Sequence, residues 1–381
     1  MESNRLGFLI SISYDSQATQ WYTGRVNVTI FGYPRTGKTT LFNLLTGARE
    51  KVHDYEEAKH EAAHRTCPVP DERLDRISAL TPDKKKIPAG LDLADLAGIS
   101  FGEVKNSTLL AVLRKADGLV HVVRGFEDPG LPAAKPVNPK DDIRAMEDEL
   151  LLADLVSVEA RLERLDKDLK KAKDPEGEKE RDLLQRLRAP LEQEKGIRGL
   201  ELTPSEEKMI RSFAFLSQKP LLHLVNIAEK DIPRAGEAQA LYASGRPGSE
   251  VMAFCGKFES EILDLEDAER QAFMAEFGMT RTVQPRFFEA APRFLGLISF
   301  FTVGKDEVRA WLVKAGTHAQ AAAGAVHTDM AKGFIRAEVI PWDSLLQAGS
   351  LQAAKDKGGI RLEGKDYPVR DGDVVYFRFS Q

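Results

Sequence analysis

A chain of 381 residues has room for two or three domains, each able to bury its own core. With 42% hydrophobic residues, 30% charged residues and a net charge of −5, it reads as soluble and globular. It does not read as a nucleic-acid binder held by bulk positive charge, although one basic face is compatible with that total. Two cysteines, Cys67 and Cys255, lie far apart and imply no disulfide framework, and no apolar run approaches the roughly 20 residues of a membrane span.

Residues 1–25 read as an N-terminal extension with a terminus prone to fraying. Its "LGFLISIS" is short and has no small-residue cleavage pattern after it, so a cytoplasmic location is expected. "VNVTIF" (26–31) alternates as a strand, Gly32 begins a loop, and "TTLFNLLTG" is a helix that Gly47 ends. Further strands are expected at 89–98 and 118–126 with helical sequence between them. The pattern predicts an α/β fold with a mainly parallel sheet covered on both faces.

From Arg144 the character changes. Leu151, Leu155, Val158, Leu162, Leu165 and Leu169 form a heptad stripe on a highly charged helix. "KDPEG" (173–177) breaks it, with Asp174 placed to cap and Pro175 in the first turn of a returning helix that carries Leu184, Leu187 and Leu191. This predicts an inserted antiparallel helical hairpin whose charged faces are mostly solvated. "PLLHLVNIAEKD" (220–231) returns as a buried strand, and "EVMAFCGKFESEI" (250–262) runs from strand to helix. Short strands and turns follow from Leu297, with Asp371-Gly372 read as a hairpin turn near the end. The expected division is a nucleotide-binding domain at 26–143 and 206–296, a hairpin at 144–205, and a small C-terminal domain at 297–381.

Gly32 to Thr39 fits G-x-x-x-x-G-K-[ST] between strand and helix, the context this motif requires. Glycines let backbone N–H groups turn in around phosphates, and the helix presents its positive end to them. Lys38 is then expected on the β- and γ-phosphates and Thr39 on Mg²⁺. Asp95 and Gly98, in D-L-A-G, are expected near the metal and the γ-phosphate; a small-molecule kinase would instead show a lid and substrate-binding arginines. Asn226-Ile227-Ala228-Glu229 lacks the lysine and aspartate of a guanine-reading N-K-x-D loop, so guanine selectivity should be weak.

In this order the phosphate loop, D-L-A-G, hairpin, N-x-x-E loop and C-terminal "FFTVGKDEVRAWLVKAG" and "GKDYPVRDGDVVYFRF" resemble the YchF subfamily of Obg-related P-loop proteins, the Obg-like ATPases. The resemblance runs from about Val26 to Gln381. It implies a Ras-like P-loop NTPase fold, a TGS-type β-grasp C-terminal region, ATP bound in preference to GTP, slow hydrolysis, and association with the ribosome or a translation factor. The hairpin and the TGS region are the expected contacts, and DNA is not an expected partner.

Carried over by position, Gly32, Tyr33, Pro34, Arg35, Thr36, Gly37, Lys38, Thr39 and Thr40 match the phosphate loop. Asp95 and Gly98 match the second switch, and Asn226 with Glu229 match the base-recognition loop. Ile99 stands where ordinary GTPases have a water-orienting glutamine; the family likewise has an aliphatic residue there, so another group must orient water.

The departures concern cleavage. "DYEEAK" (54–59) puts Lys59 where the family's first switch has a threonine over Mg²⁺, and "GEVKN" (102–106) is shorter than the family's glycine-rich run. "FEDPGLPAAKPVNP" (126–139) lacks the family's water-positioning histidine, for which His121, inside the preceding strand, is a weak substitute. Three readings follow: a slow ATPase switch, an adaptor that binds nucleotide without hydrolysing it, and a disfavoured guanine-specific GTPase. Elsewhere, His60, His64 and Cys67 have helical ligand spacing but no evident fourth ligand. His327, Lys332 and Arg336 fit RNA contact no better than an ordinary solvated surface.

Overall fold

The computed structural model describes residues 26–49, 63–96, 107–127 and 136–380. The strands are β1 (Val26–Phe31), β2 (Ala63–Val69), β3 (Lys85–Ile87), β4 (Ala89–Asp95), β5 (Gly118–Gly125), β6 (Leu221–Ile227), β7 (Ser249–Phe254), β8 (Leu297–Val303), β9 (Glu307–Lys314), β10 (Phe334–Pro341), β11 (Arg361–Glu363) and β12 (Asp373–Phe379). The first sheet has the order β2-β4-β1-β5-β6-β7, parallel except for β2 on β4. Its central strands are buried on both faces, so β5 and β6 read as continuous apolar runs with one histidine each.

Successive side chains point to opposite faces, and that divides the core. Val120, Val122, Leu222 and Leu224 face α1 (Lys38–Thr46), α2 (Glu72–Ala79) and later helices. Phe31, Leu119 and Leu221 face α3 (Ser107–Lys115) and the first turns of α4 (Pro139–Leu169). α4 starts at Pro139, capped by Asn138, so its first turns pack on the sheet before the chain leaves it.

Beyond Leu151 the expected leucine stripe forms. Leu151, Val158, Leu162 and Leu165 pack against Leu183, Leu184, Leu187 and Leu191 of α5 (Pro175–Glu192). Asp174 caps α5 through the Glu176 amide with Pro175 in the first turn, as the sequence predicts. Arg161 ties the arms together with two bonds to Glu180, of 2.8 and 2.7 Å. The hairpin is sealed at its base by α6 (Pro204–Ile210) and Phe215.

The remaining helices are α7 (Ala238–Tyr242), α8 (Gly256–Glu261), α9 (Asp267–Glu276), α10 (Val283–Phe294), α11 (Ala319–Val326), α12 (Thr328–Lys332), α13 (Trp342–Ala348) and α14 (Leu351–Asp356). The second sheet has the order β11-β10-β12-β8-β9-β3. Its edge strand β3 comes from the N-terminal half and pairs in parallel with β9. Phe301, Val308, Ile340 and Val374 of this sheet share a core with Leu41, Leu74 and Phe287.

Asp371-Gly372 is a turn but not the expected hairpin. Strand β12 pairs with β10 and β8, and the segment before the turn does not return along it. The turn is drawn sideways instead. Asp371 accepts from the Ser299 amide at 2.9 Å and from Arg73 of α2 at 2.6 Å, and Gly372, at φ 87°, donates to Ser299 O. Local turn chemistry was right, and its partner strand was set by long-range contacts.

Asp154 is a buried carboxylate on α4 that the stripe did not single out; it accepts from the amides of Leu216 and Ser217 at 2.9 and 2.7 Å. Burial pushes its carboxyl up. Asp154→Ala strands two buried N–H groups and is expected to cost about 2–4 kcal/mol, read from the urea midpoint, whereas Asp154→Asn should cost about half as much because one acceptor remains.

Candidate functional site

The phosphate loop leaves β1 where Phe31 pairs with His121 of β5. Gly32 has φ 147°, and a Cβ there would lie 2.5 Å from Val122 O. Gly37 has φ 94°, and a Cβ there would lie 2.4 Å from Nδ2 of Asn226. Both positions therefore admit glycine only. Arg35, exposed, holds φ 59°, a left-handed conformation that non-glycine residues seldom adopt. Gly37 is the N-cap of α1 without a side-chain cap, so the helix start presents backbone N–H groups to the loop. Gly47 ends the helix in the left-handed conformation, as expected.

Thr36 Oγ1 and Lys38 Nζ both donate to the Tyr33 carbonyl, at 3.1 and 2.8 Å. Thr39 donates to Oδ2 of Asp95 at 2.9 Å. Burial draws the Lys38 amine down to about 8, with the Asp95 charge opposing. The hydroxyl of Thr39 and the carboxylate of Asp95 form an all-oxygen donor set beside the phosphate loop. Thr39 and Asp95 would be the residues to hold a hard divalent cation such as Mg²⁺, for which oxygen donors are suited.

Asn226, buried at the end of β6, donates from Nδ2 to Thr36 O at 3.1 Å and accepts at Oδ1 from the Gly256 amide at 2.9 Å. It pins the phosphate loop to the start of α8, where Thr40 also lies against Gly256. Glu229, two residues beyond β6, forms an ion pair of 2.8 Å with Lys257. Lys257 belongs to no motif in the sequence; its one signal there is its place directly after Gly256, at the strand-to-helix turn.

His121 is fully enclosed. Its Nδ1 meets Nδ1 of His223 at 3.0 Å, and His223 Nε2 meets Oε1 of Glu147 at 3.1 Å. Burial, the neighbouring His223 and Lys38 hold His121 well below the usual imidazole range. Burial raises Glu147, but hydrogen bonds from His223 and Ser244 and the charge of Arg246 outweigh it and leave the carboxyl low. Tyr33 bonds through its hydroxyl to Glu149 of α4 at 3.3 Å. His64 lies on β2, not on a helix, and is exposed while Cys67, three residues on, is buried. The proposed ligand spacing is lost on a strand. Gly98, Ile99, His60, the 1–25 extension, both switch segments (54–59 and 102–106) and residues 128–135 lie outside the described residues.

Residues 27–158 match the family described as "50S ribosome-binding GTPase", and residues 297–380 match the YchF-GTPase_C family, described as "Protein of unknown function (DUF933)". The Ribosome-binding ATPase YchF of Bacillus subtilis (strain 168) is 38% identical over 361 residues, spanning 92% of this chain and 98% of its own. The chain belongs to the YchF family of Obg-like ATPases. Obg-like ATPase 1 of Bos taurus is 33% identical across 93% of this chain and 92% of its own. The structure of the Schizosaccharomyces pombe YchF GTPase superposes with a TM-score of 0.78 at 27% identity, covering 94% of this chain and all of that one. The fold is therefore the YchF one: a P-loop NTPase domain, a helical insertion and the family's C-terminal domain.

The position of Lys38 gives a pH signature. Below about 8 the Lys38 side chain of the free protein is an ammonium; above it, pairing that side chain with a phosphate would require uptake of a proton. Nucleotide affinity should therefore fall by up to about tenfold per pH unit between about pH 8 and 10, and Lys38→Arg should lose that slope. A fluorescent-nucleotide titration across this range checks it, and a flat wild-type profile contradicts it.

Proposed function

We propose that this YchF-family chain is a Mg²⁺-dependent switch that binds ATP more tightly than GTP, hydrolyses it slowly, and acts on a ribosomal or translation-factor partner in the cytoplasm. The observation that carries this reading is the set formed by Lys38 on the loop carbonyl, Thr39 on Asp95 and Asn226 on Thr36. Lys38 would hold the β- and γ-phosphates, Thr39 and Asp95 would hold Mg²⁺, and Gly98 would sense the γ-phosphate.

ATP preference is supported by the base loop. A guanine reader needs a free carboxylate for two N–H donors, and Glu229 shares its carboxylate with Lys257. Partner binding is supported by the names of relatives such as the Bacillus subtilis protein. The hairpin and the C-terminal β-sheet, which we read as a TGS domain, are the surfaces we assign to that partner. Among the described residues no helix is long and apolar enough to cross a membrane.

A second reading, a nucleotide-stabilised adaptor without hydrolysis, is favoured by one observation. His121, the histidine beside the phosphate loop among the described residues, is fully enclosed, its ring packed between the sheet and α4 against Phe31, Tyr33 and His223, where it cannot orient an attacking water.

Single-turnover assays with ATP and GTP, with and without ribosomes, separate these readings. ATP cleavage should be slow and accelerated by ribosomes. Lys38→Ala should weaken nucleotide binding by about 2–5 kcal/mol and abolish cleavage. Tight ATP binding without cleavage under any condition establishes the adaptor, and selective GTP turnover overturns both.

A further inference from the structure

Tyr33 occupies the phosphate loop and makes two kinds of contact. Its carbonyl takes the Lys38 ammonium and the Thr36 hydroxyl. Its ring stands edge-on to His121, at 6.4 Å between centroids, and packs on the cluster of Phe31, Met146 and Leu150. Its hydroxyl donates to Glu149. Glu149 lies on α4, a continuous helix of 31 residues that becomes the first arm of the hairpin.

The other flank of the same helix is attached as well. Glu147 receives His223, which meets His121 under the loop. At 3.6 residues per turn, Glu147 and Glu149 straddle the apolar seam made by Met146 and Leu150. The phosphate loop and the sheet beneath it thus grip α4 on both sides, one turn before it leaves the domain.

We propose that Tyr33 is a positioning residue that couples the nucleotide-binding loop to the helical hairpin, through its hydrogen bond to Glu149. The proposal rests on the nucleotide-binding reading above. Bound phosphates compete for the Lys38 ammonium that now rests on the Tyr33 carbonyl, so nucleotide binding changes what holds the peptide that carries this ring. A tyrosine ring is stiff, and its hydroxyl reaches Glu149 of α4 at 3.3 Å. About 20 residues of α4 lie beyond Glu149, a lever of roughly 30 Å, so a tilt of about 5° at the base moves the hairpin end by about 2–3 Å. Linkage makes the effect reciprocal: a partner that shifts the hairpin changes the affinity for nucleotide by the same factor.

The test is a distance measurement on the full chain. Spin labels at Lys173→Cys, on the exposed turn of the hairpin, and at Ala79→Cys, on the exposed side of α2, report hairpin position by pulsed EPR; the native cysteines are buried. Distances are taken without nucleotide and with saturating non-hydrolysable ATP and GTP analogues, with occupancy measured in the same samples. Wild type should shift by about 2–3 Å. Tyr33→Phe, which keeps the ring, and Glu149→Ala should each cut that shift by at least about half, and the double variant should do no more than either alone, because one bond is being removed.

A full shift in either single variant overturns the proposal, as does an additive double variant. Bound nucleotide with a hairpin that does not move overturns it while leaving the nucleotide-binding reading intact. Absence of nucleotide binding overturns both.

Discussion

The nucleotide site depends on one side-chain amide. Asn226 spends its donor on the Thr36 carbonyl and its acceptor on the Gly256 amide, so the loop, the end of β6 and the start of α8 share a single fixed point. Both bonds are buried, where an unpaired backbone group costs about 1–3 kcal/mol. The same amide explains Gly37, since any side chain there would overlap Nδ2. Once this point is fixed, Lys38 and Thr39 face the loop interior and Asp95 of the neighbouring strand comes within hydrogen-bond range. Asn226 thus builds the site from behind, and Glu229 pairs with Lys257 two residues beyond the end of β6.

A second constraint joins the two halves of the chain. The second sheet is completed by β3, and Lys84 and Lys85 bond to Gly304 O and Asp306 O at that edge. Arg73 reaches from α2 to Asp371, while its other bonds go to Asp71. The C-terminal sheet is therefore held to α2 and to the segment that runs into β4.

The sequence made the nucleotide site legible wherever chemistry is local. Loop glycines, the Lys38-Thr39 pair, the Gly47 stop and the Asp174-Pro175 restart each follow from backbone geometry within a few residues, and the structure carries all of them. It was silent where a side chain's partner is distant in sequence. Asp371-Gly372 announced a turn but not which strand it would serve, and His64 with Cys67 read as helical spacing on what is a strand. Glu147 and Asp154 did leave a trace: two carboxylates seven residues apart on the apolar side of α4 call for buried partners. Which partners they take, His223 with Arg246 and the amides of Leu216 and Ser217, follows only from the folded sheet.

The buried line from His121 to Glu147 also has a definite proton arrangement. A carboxylate held low can only accept, so His223 donates from Nε2 and presents a lone pair at Nδ1. His121 must then donate from its own Nδ1, which leaves Nε2 as a bare acceptor, buried and without a hydrogen-bond partner. A well-packed apolar pair would avoid that cost, since an unsatisfied buried group is unfavourable by about 1–3 kcal/mol. What the polar pair supplies in exchange is orientation: each ring is locked by the next, and the last lock is a residue of α4. The floor under the phosphate loop is thereby referenced to the helix that becomes the hairpin, on the flank opposite Tyr33.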